Sequence, residues 1–304
     1  TVKKADIPNH PMSGVLDSWA AQGIDYAVSN GCEVILFSAS TLQNKVEGGQ
    51  TITRAISNAI AQGVIFICSA GNSGTLISGY PAKFGPALSV GSTVGQSSFE
   101  LADYSSYGPE LDVVAPNAGV VLLPSRDRPE YGVYESGGGT STSAAMVAGV
   151  CSLLAALRPD VTQEQARILL GAGAEDQGGG IGDTKGFDIY YGWGRANAYS
   201  TLLLAQTKID EFRRLPDNRV ELAWASSPNA RSKEPYQVEF TPDLSQGWMP
   251  LTNGSFRYET TSVFTNGVFA SETNRAYWTG PLPPPPAAGR EGYLRVRIKL
   301  NEPP

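Results

Sequence analysis

One histidine and three cysteines are all the imidazole and thiol that 304 residues carry. A metal site of the His/Cys kind needs those ligands clustered, and Cys32, Cys68 and Cys151 stand far apart with no paired spacing. Each lies in or beside an apolar run, so all three are expected as buried free thiols and not as a disulfide framework. Basic runs are missing as well. Lys and Arg number 23 against 29 Asp and Glu, a formal charge of -6, so nucleic acid and anionic membrane surfaces have no electrostatic footprint. No stretch reaches the roughly eighteen uninterrupted apolar residues of a membrane span, and none is expected. The start, TVKKADIPNH, has neither an initiator Met nor the apolar core of a signal peptide, as in a chain cut from a longer one.

What is present is a sizeable apolar fraction, 41%, in a chain long enough for two domains. Residues 15–31, VLDSWAAQGIDYAVSNG, repeat at helical spacing, and CEVILFS that follows is a short continuous apolar run, the character of a buried strand. TITRAISNAIAQG returns to helix and GVIFICSA (63–70) to buried strand, the order that builds a parallel sheet with a right-handed crossover. ALSVGS and LDVVAP add two short strands. A helix is expected from Ser143 to Leu157, stopped near Pro159, and a capping box from Thr162 to Gln165 opens another. After residue 206 helical patterning fades and three of the five Trp appear among short alternating runs such as YQVEF and YLRVRIK, which predicts a small all-β module. PLPPPP (281–286) reads equally as a stiff loop within that module or as a solvated spacer. The boundaries expected are 1–206 for the α/β domain, 207–217 for a connector, and 218–304 for a small β-sandwich-like domain.

Between those elements lies GGGTSTSAAMVAGV (137–150), in which Ser141 joins a glycine run to an apolar helix. A hydroxyl in the first turn of a buried helix meets unpaired N–H groups and the positive end of the helix dipole, both favourable to negative charge. Gly137 to Gly139 suit close approach of backbone to a substrate, and Gly149 suits tight packing of the helix on a neighbour. Alone, such a run reads as readily as an N-cap. SAGNSG (69–74) puts Asn72 just past a strand's carboxyl end, where ligands of open parallel sheets gather, although a Gly-Asn turn is the plainer reading. Together the two supply a nucleophile and a side-chain donor, the parts of an oxyanion site.

GTSTSAAMVAG (139–149) resembles the serine motif of the subtilisin-like serine peptidases, and SAGNSG resembles that family's oxyanion asparagine motif. SGYPAKFGPALSVGS, YSSYGPELDVVAP and YYGWGRANA follow in family order, so the resemblance covers most of residues 13–205. It implies an α/β fold, a three-layer subtilisin-like parallel sheet with helices on both faces whose N-terminal part is absent, followed by the small all-β domain. It implies a secreted serine endopeptidase acting on protein or peptide substrates through an acyl-enzyme on Ser141, with Asn72 and the Ser141 N–H stabilising the oxyanion. Ser38, Ala39 and Ser40 correspond to the segment that pairs with substrate backbone. Ser69, Ala70, Gly71 and Gly79 correspond to the wall of the pocket for the residue before the scissile bond, and their small size suits a bulky apolar side chain. The family usually has Gly where Ser40 and Thr41 stand, which leaves specificity open, and most often Pro where Ala145 stands, which a helix tolerates. No metal or cofactor enters the chemistry; near Tyr80-Pro81, where the family's loop has a cis-proline, calcium on backbone oxygens is the structural ion the resemblance allows.

A serine hydroxyl needs a base, normally a histidine held by an aspartate. His10, in IPNHPMS, lacks the family's histidine context and aligns after it, so a surface loop residue is expected there. The Asp and His are therefore expected upstream of Thr1, on an upstream fragment of the same precursor. The alternative is a catalytically inactive relative that binds peptides without cutting them.

Overall fold

Two helices feed the central sheet in the same way. α1 (Asp17–Ser29) ends at Gly31 (φ 74°) and α2 (Gln50–Ala61) at Gly63 (φ 88°). The left-handed glycine turns the chain so that the following N–H reaches back into the last turn, Cys32 N to Ala27 O and Val64 N to Ala59 O, both at 3.1 Å. β2 (Val34–Phe37) and β4 (Ile65–Ser69) follow directly. With β5 (Leu88–Thr93) and β6 (Val113–Pro116) they form a parallel sheet of order β2-β4-β5-β6. The short strands β1 (Val15–Leu16) and β3 (Thr41–Leu42) pair in parallel as a separate two-stranded sheet. The computed structural model describes residues 15–39, 41–42, 50–95, 98–117, 121–122, 135–136, 138–176, 186–207, 209, 211–217, 219–226, 235–241, 249–265, 268–281 and 293–298.

The alternation along β4 divides the core. Ile65 and Ile67 face a layer containing α3 (Thr140–Leu157), and Phe66 and Cys68 face α1 and α2. Helices therefore cover both faces of the sheet, as the resemblance implies. α4 (Gln163–Gly173) opens with the capping box, Thr162 Oγ1 accepting from Gln165 N and Gln165 Oε1 from Thr162 N. α5 (Ala198–Ala205) is an additional helix, and β7 (Val121–Leu122) pairs antiparallel with β8 (Glu135–Ser136).

The β region consists of two antiparallel sheets. β9 (Glu211–Arg214), β10 (Arg219–Ala225), β13 (Ser255–Thr265) and β14 (Val268–Pro281) give the order β13-β14-β10-β9; β11 (Tyr236–Thr241), β12 (Met249–Pro250) and β15 (Tyr293–Ile298) give β12-β11-β15. Trp224 of β10 meets Tyr236 of β11 edge-on at 5.1 Å. β9 lies inside the stretch expected as a connector; all four of its residues are exposed, so no apolar alternation announces it. Trp224, Trp278, Val220 and Val238 belong to the same apolar cluster as Leu154 of α3, Leu170 of α4 and Leu204 of α5, so the β sheets and the helices share one core.

Three expectations are corrected. α3 starts at Thr140, three residues before Ser143, because a partner outside the helix takes its first N–H, as described below. Gly149 faces outward with nothing within 4 Å of a Cβ built there, so among the described residues no neighbour packs closely on it. Cys32 is exposed: it follows the glycine that ends α1 and precedes the apolar run of β2. Cys68 and Cys151 are buried, and burial pushes the Cys151 thiol up to about 12 and the Cys68 thiol higher still. Iodoacetamide on the native protein is expected to modify Cys32 alone, with the other two reacting only in denaturant; peptide mass analysis checks this.

The outer face of α3 lacks a partner among the described residues. Ala145, Met146, Gly149, Ser152, Leu153, Ala156 and Leu157 are exposed, a helical stripe without charge, with Leu153 at 55%. By length and apolar composition α3 passes as a membrane-crossing helix, while its opposite face is buried on the sheet. Among the described residues β2 is the outer strand of the sheet at that end, with Leu36 exposed.

Candidate active site

Ser141 is the second residue of α3 and half-buried. The helix begins after Gly139 without a side-chain cap from that residue. Its first N–H, that of Thr140, donates instead to Asn72 Oδ1 at 2.9 Å, and Thr140 Oγ1 donates to the same oxygen at 2.9 Å. A backbone N–H can only donate, so these two bonds fix which end of the carboxamide is oxygen. Asn72 Nδ2 then lies beside Gly139, where an added Cβ would come within 2.9 Å of it. Gly139, at φ 94°, is thus needed for the carboxamide to fit as well as for its backbone conformation. Gly137 lies outside the described residues.

The loop that carries Asn72 leaves the carboxyl end of β4 and is held from below. Ser106 N donates to Gly71 O at 3.0 Å, Gly74 N to Tyr104 O at 2.8 Å, and Gly71 N to Thr140 Oγ1 at 3.2 Å. Thr140, fully buried, therefore joins both halves of the site. On the other side Ser38, past the end of β2, is reciprocally bonded to the nucleophile candidate: Ser141 Oγ donates to Ser38 O at 3.3 Å and Ser38 Oγ to Ser141 O at 3.2 Å. Among the described residues no imidazole or carboxylate bonds the Ser141 hydroxyl, and His10 lies outside them.

The structure thus brings Ser141, Asn72, Ser38 and Gly71 together around Thr140. Ala39 follows Ser38 and is half-buried; Ser69 ends β4 and Ala70 N donates to Val90 O at 2.9 Å. Gly79 stands further along, its carbonyl accepting from Lys83 N at 2.9 Å, next to Tyr80-Pro81, which is cis. Ser40 lies outside the described residues. Among the described residues no three His, Cys, Asp or Glu side chains cluster as metal ligands. Thr140 is the residue that reading the sequence missed, since a hydroxyl before an apolar helix looks like an ordinary cap. Its partner, 68 positions away, carries no local signal.

The electrostatics favour an anion here. The first turn of an 18-residue helix points its N–H groups at this corner, and no acidic residue occupies that turn. An oxygen bearing developing negative charge, placed before the Ser141 N–H and Asn72 Nδ2, would meet two donors and the helix's positive end.

A profile of the subtilase family matches residues 8–194. Among curated proteins, subtilisin NAT of Bacillus subtilis subsp. natto is 33% identical over 184 residues, covering 59% of this chain and 43% of that protein. Alkaline elastase YaB of Bacillus sp. (strain YaB) is 35% identical over 150 residues, 49% of this chain and 37% of that protein. The chain thus spans under half the length of these relatives. Among solved structures, the prenylagaramide maturation protease PagA superposes with a TM-score of 0.53 at 22% identity, covering 64% of this chain and 69% of that one. The self-cleaved protease domain of PatA gives 0.51 at 23% identity, 62% of this chain and 68% of that one. At these identities the superpositions bear on the fold alone.

Proposed function

Since the chain belongs to the subtilase family, we propose that it is the nucleophile-bearing part of a serine endopeptidase. The observation that carries this reading is the pinned carboxamide: Thr140 holds the oxygen of Asn72 with two bonds, leaving its NH2 group beside the N-terminal turn that presents Ser141.

In the proposed reaction Ser141 Oγ attacks the carbonyl carbon of a peptide bond while a histidine takes its proton. Asn72 Nδ2 and the Ser141 N–H receive the oxyanion. The histidine's proton then passes to the leaving amine as the C–N bond breaks, and water, deprotonated by the same histidine, releases the acyl group. Residues 38–40 would pair with the substrate backbone, and Ser69 to Gly71 with Gly79 would line the pocket for the residue before the cut. Calcium on backbone oxygens near Tyr80-Pro81, and a secreted location, belong to the same reading.

The histidine and its aspartate are proposed on a segment upstream of Thr1. The uncharged outer stripe of α3 starts at Ala145, one turn from Ser141, and β2, an outer strand among the described residues, ends at Phe37, just before Ser38, which bonds Ser141. A segment that added a strand to β2 and covered α3 would deliver its side chains to the nucleophile. In this structure the Ser141 hydroxyl donates to the Ser38 carbonyl at 3.3 Å. That same contact favours the second reading, a peptide-binding protein without catalysis.

Hydrolysis of an unstructured protein, followed by mass analysis of the products, separates the two. Full-length protein is expected to cut internal peptide bonds, whereas residues 1–304 alone are expected to be slower by about 10³-fold or more for want of a base. A folded full-length protein that binds the polypeptide and leaves it intact would replace the peptidase reading with the binding one.

A further inference from the structure

We propose that a chain of hydroxyls, Ser143, Ser92 and Tyr104, fixes the position of Ser141 relative to Asn72, so that these three are positioning residues of the site. The inference rests on the peptidase reading for its kinetic consequence but not for its structural one.

Ser143 and Ser92 are fully buried in the layer between α3 and the sheet, where an unbonded hydroxyl would be costly. Ser143 lies in the same turn as Ser141. Its hydroxyl donates to Ala115 O at 2.9 Å and bonds the Ser92 hydroxyl at 3.0 Å, tying the turn to the ends of β5 and β6. Ser92 Oγ in turn bonds the Tyr104 hydroxyl at 3.1 Å, which also accepts from Asn117 Nδ2. Asn117 stands beside Gly138, 3.5 Å from where a Cβ would be built there, so the chain of bonds runs from the turn that holds Ser141 to the neighbourhood of the glycine that precedes it.

Tyr104 carries the connection to the other half of the site. Its carbonyl accepts from Gly74 N, two residues past Asn72; the adjoining Ser106 hydroxyl bonds the Ser73 hydroxyl at 3.0 Å. Asn72 closes the circuit by accepting from Thr140 at the start of α3. The first turn of α3 and the asparagine loop are therefore linked twice, directly through Thr140 and around the back through Ser143, Ser92 and Tyr104. In a closed circuit neither half can shift without the other. Hydrogen bonds inside a protein are stronger than in water and polarise one another along a chain, so groups linked in this way tend to hold one arrangement, and an oxyanion site loses rate when its donors move by about 1 Å.

The test uses Ser143→Ala and Tyr104→Phe, alone and combined, in the full-length protein. Amide hydrogen exchange is followed over residues 70–74 and 138–143, beside kcat and KM for one peptide and the thermal midpoint. Ser143→Ala is expected to quicken exchange in 70–74, a loop its hydroxyl does not touch, and Tyr104→Phe to quicken it in 138–143. Each is expected to lower kcat about tenfold or more with KM within about twofold, and the double variant to behave like either single one. If Ser143→Ala fails to fold, exchange in 138–143 of Tyr104→Phe decides alone. Variants that melt earlier but keep parental exchange in the opposite segment, or parental kcat in an active protein, would overturn the proposal. A parent without activity would defeat the peptidase reading, and the exchange coupling would still decide this one.

Discussion

Asn72→Asp is expected to lower kcat by about 10²–10³-fold, the known cost of removing this donor from subtilisin, while leaving the fold as stable as the parent. The two ends of the carboxamide do separate work. Oδ1 accepts from Thr140 N and Thr140 Oγ1 and so satisfies the start of α3; in the proposed reaction Nδ2 is the end that meets the oxyanion. Aspartate keeps an acceptor for both Thr140 donors and places negative charge at a helix N-terminus, which is favourable. It has no N–H to offer, so the loss falls on the transition state, and KM should stay close to the parent's. Asn72→Ala should lose the same factor in kcat and also about 0.5–2 kcal/mol of stability, because the Thr140 N–H loses its partner. Steady-state kinetics and denaturant unfolding on both variants check the separation. Equal stability losses in the two, or parental kcat in Asn72→Asp, would contradict it.

Arg167→Met is expected to cost about 3–5 kcal/mol of stability, the largest effect of any single change considered. Arg167 Nε donates to Asp112 Oδ1 at 2.7 Å, and its NH2 group reaches the Gly85 carbonyl at 2.7 Å. Asp112, just before β6, also accepts from Ser89 N at 2.8 Å at the start of β5, so the pair fastens α4 to two strands. Burial pushes the Asp112 carboxyl above the usual carboxylate range, against the opposing pull of the guanidinium and the Ser89 N–H. Without Arg167 the carboxyl rises further. A carboxyl raised in the folded state keeps its proton there while the unfolded chain has lost it, so stability falls as pH climbs from the ordinary carboxylate range to the raised value. Unfolding by urea at pH 5 and pH 8 should show the deficit of Arg167→Met to be larger at pH 8. A deficit below about 1 kcal/mol, or one larger at pH 5, would show that the carboxylate finds other solvation.

The α/β elements were legible where burial is two-sided. β4 reads as a continuous apolar run because helices cover both its faces, and α4 announces itself through a capping box that the structure reproduces. Elements without a local pattern were not. α5, AYSTLLLA, is too short and uniformly apolar to show periodicity, and β9 is exposed throughout. The polar run before Ser143 concealed the true start of α3, whose first N–H is satisfied by Asn72 across 68 positions. In the site, Ser141 and Asn72 stood out as motifs, while Thr140, Ser92 and Tyr104 did not. Their roles consist of contacts between segments, and a hydroxyl in a strand or turn is too common to signal one. Gly149 has no close neighbour among the described residues, and a small residue on a helix suits close packing only when that face is covered.

The most direct test of the account is the reaction of the folded full-length protein with a fluorophosphonate, followed by mass analysis of the peptide that contains residue 141. The account predicts one covalent adduct, on Ser141, absent from Ser141→Ala and slowed in Asn72→Asp. An adduct on a different serine, or none in a folded full-length protein, would contradict it.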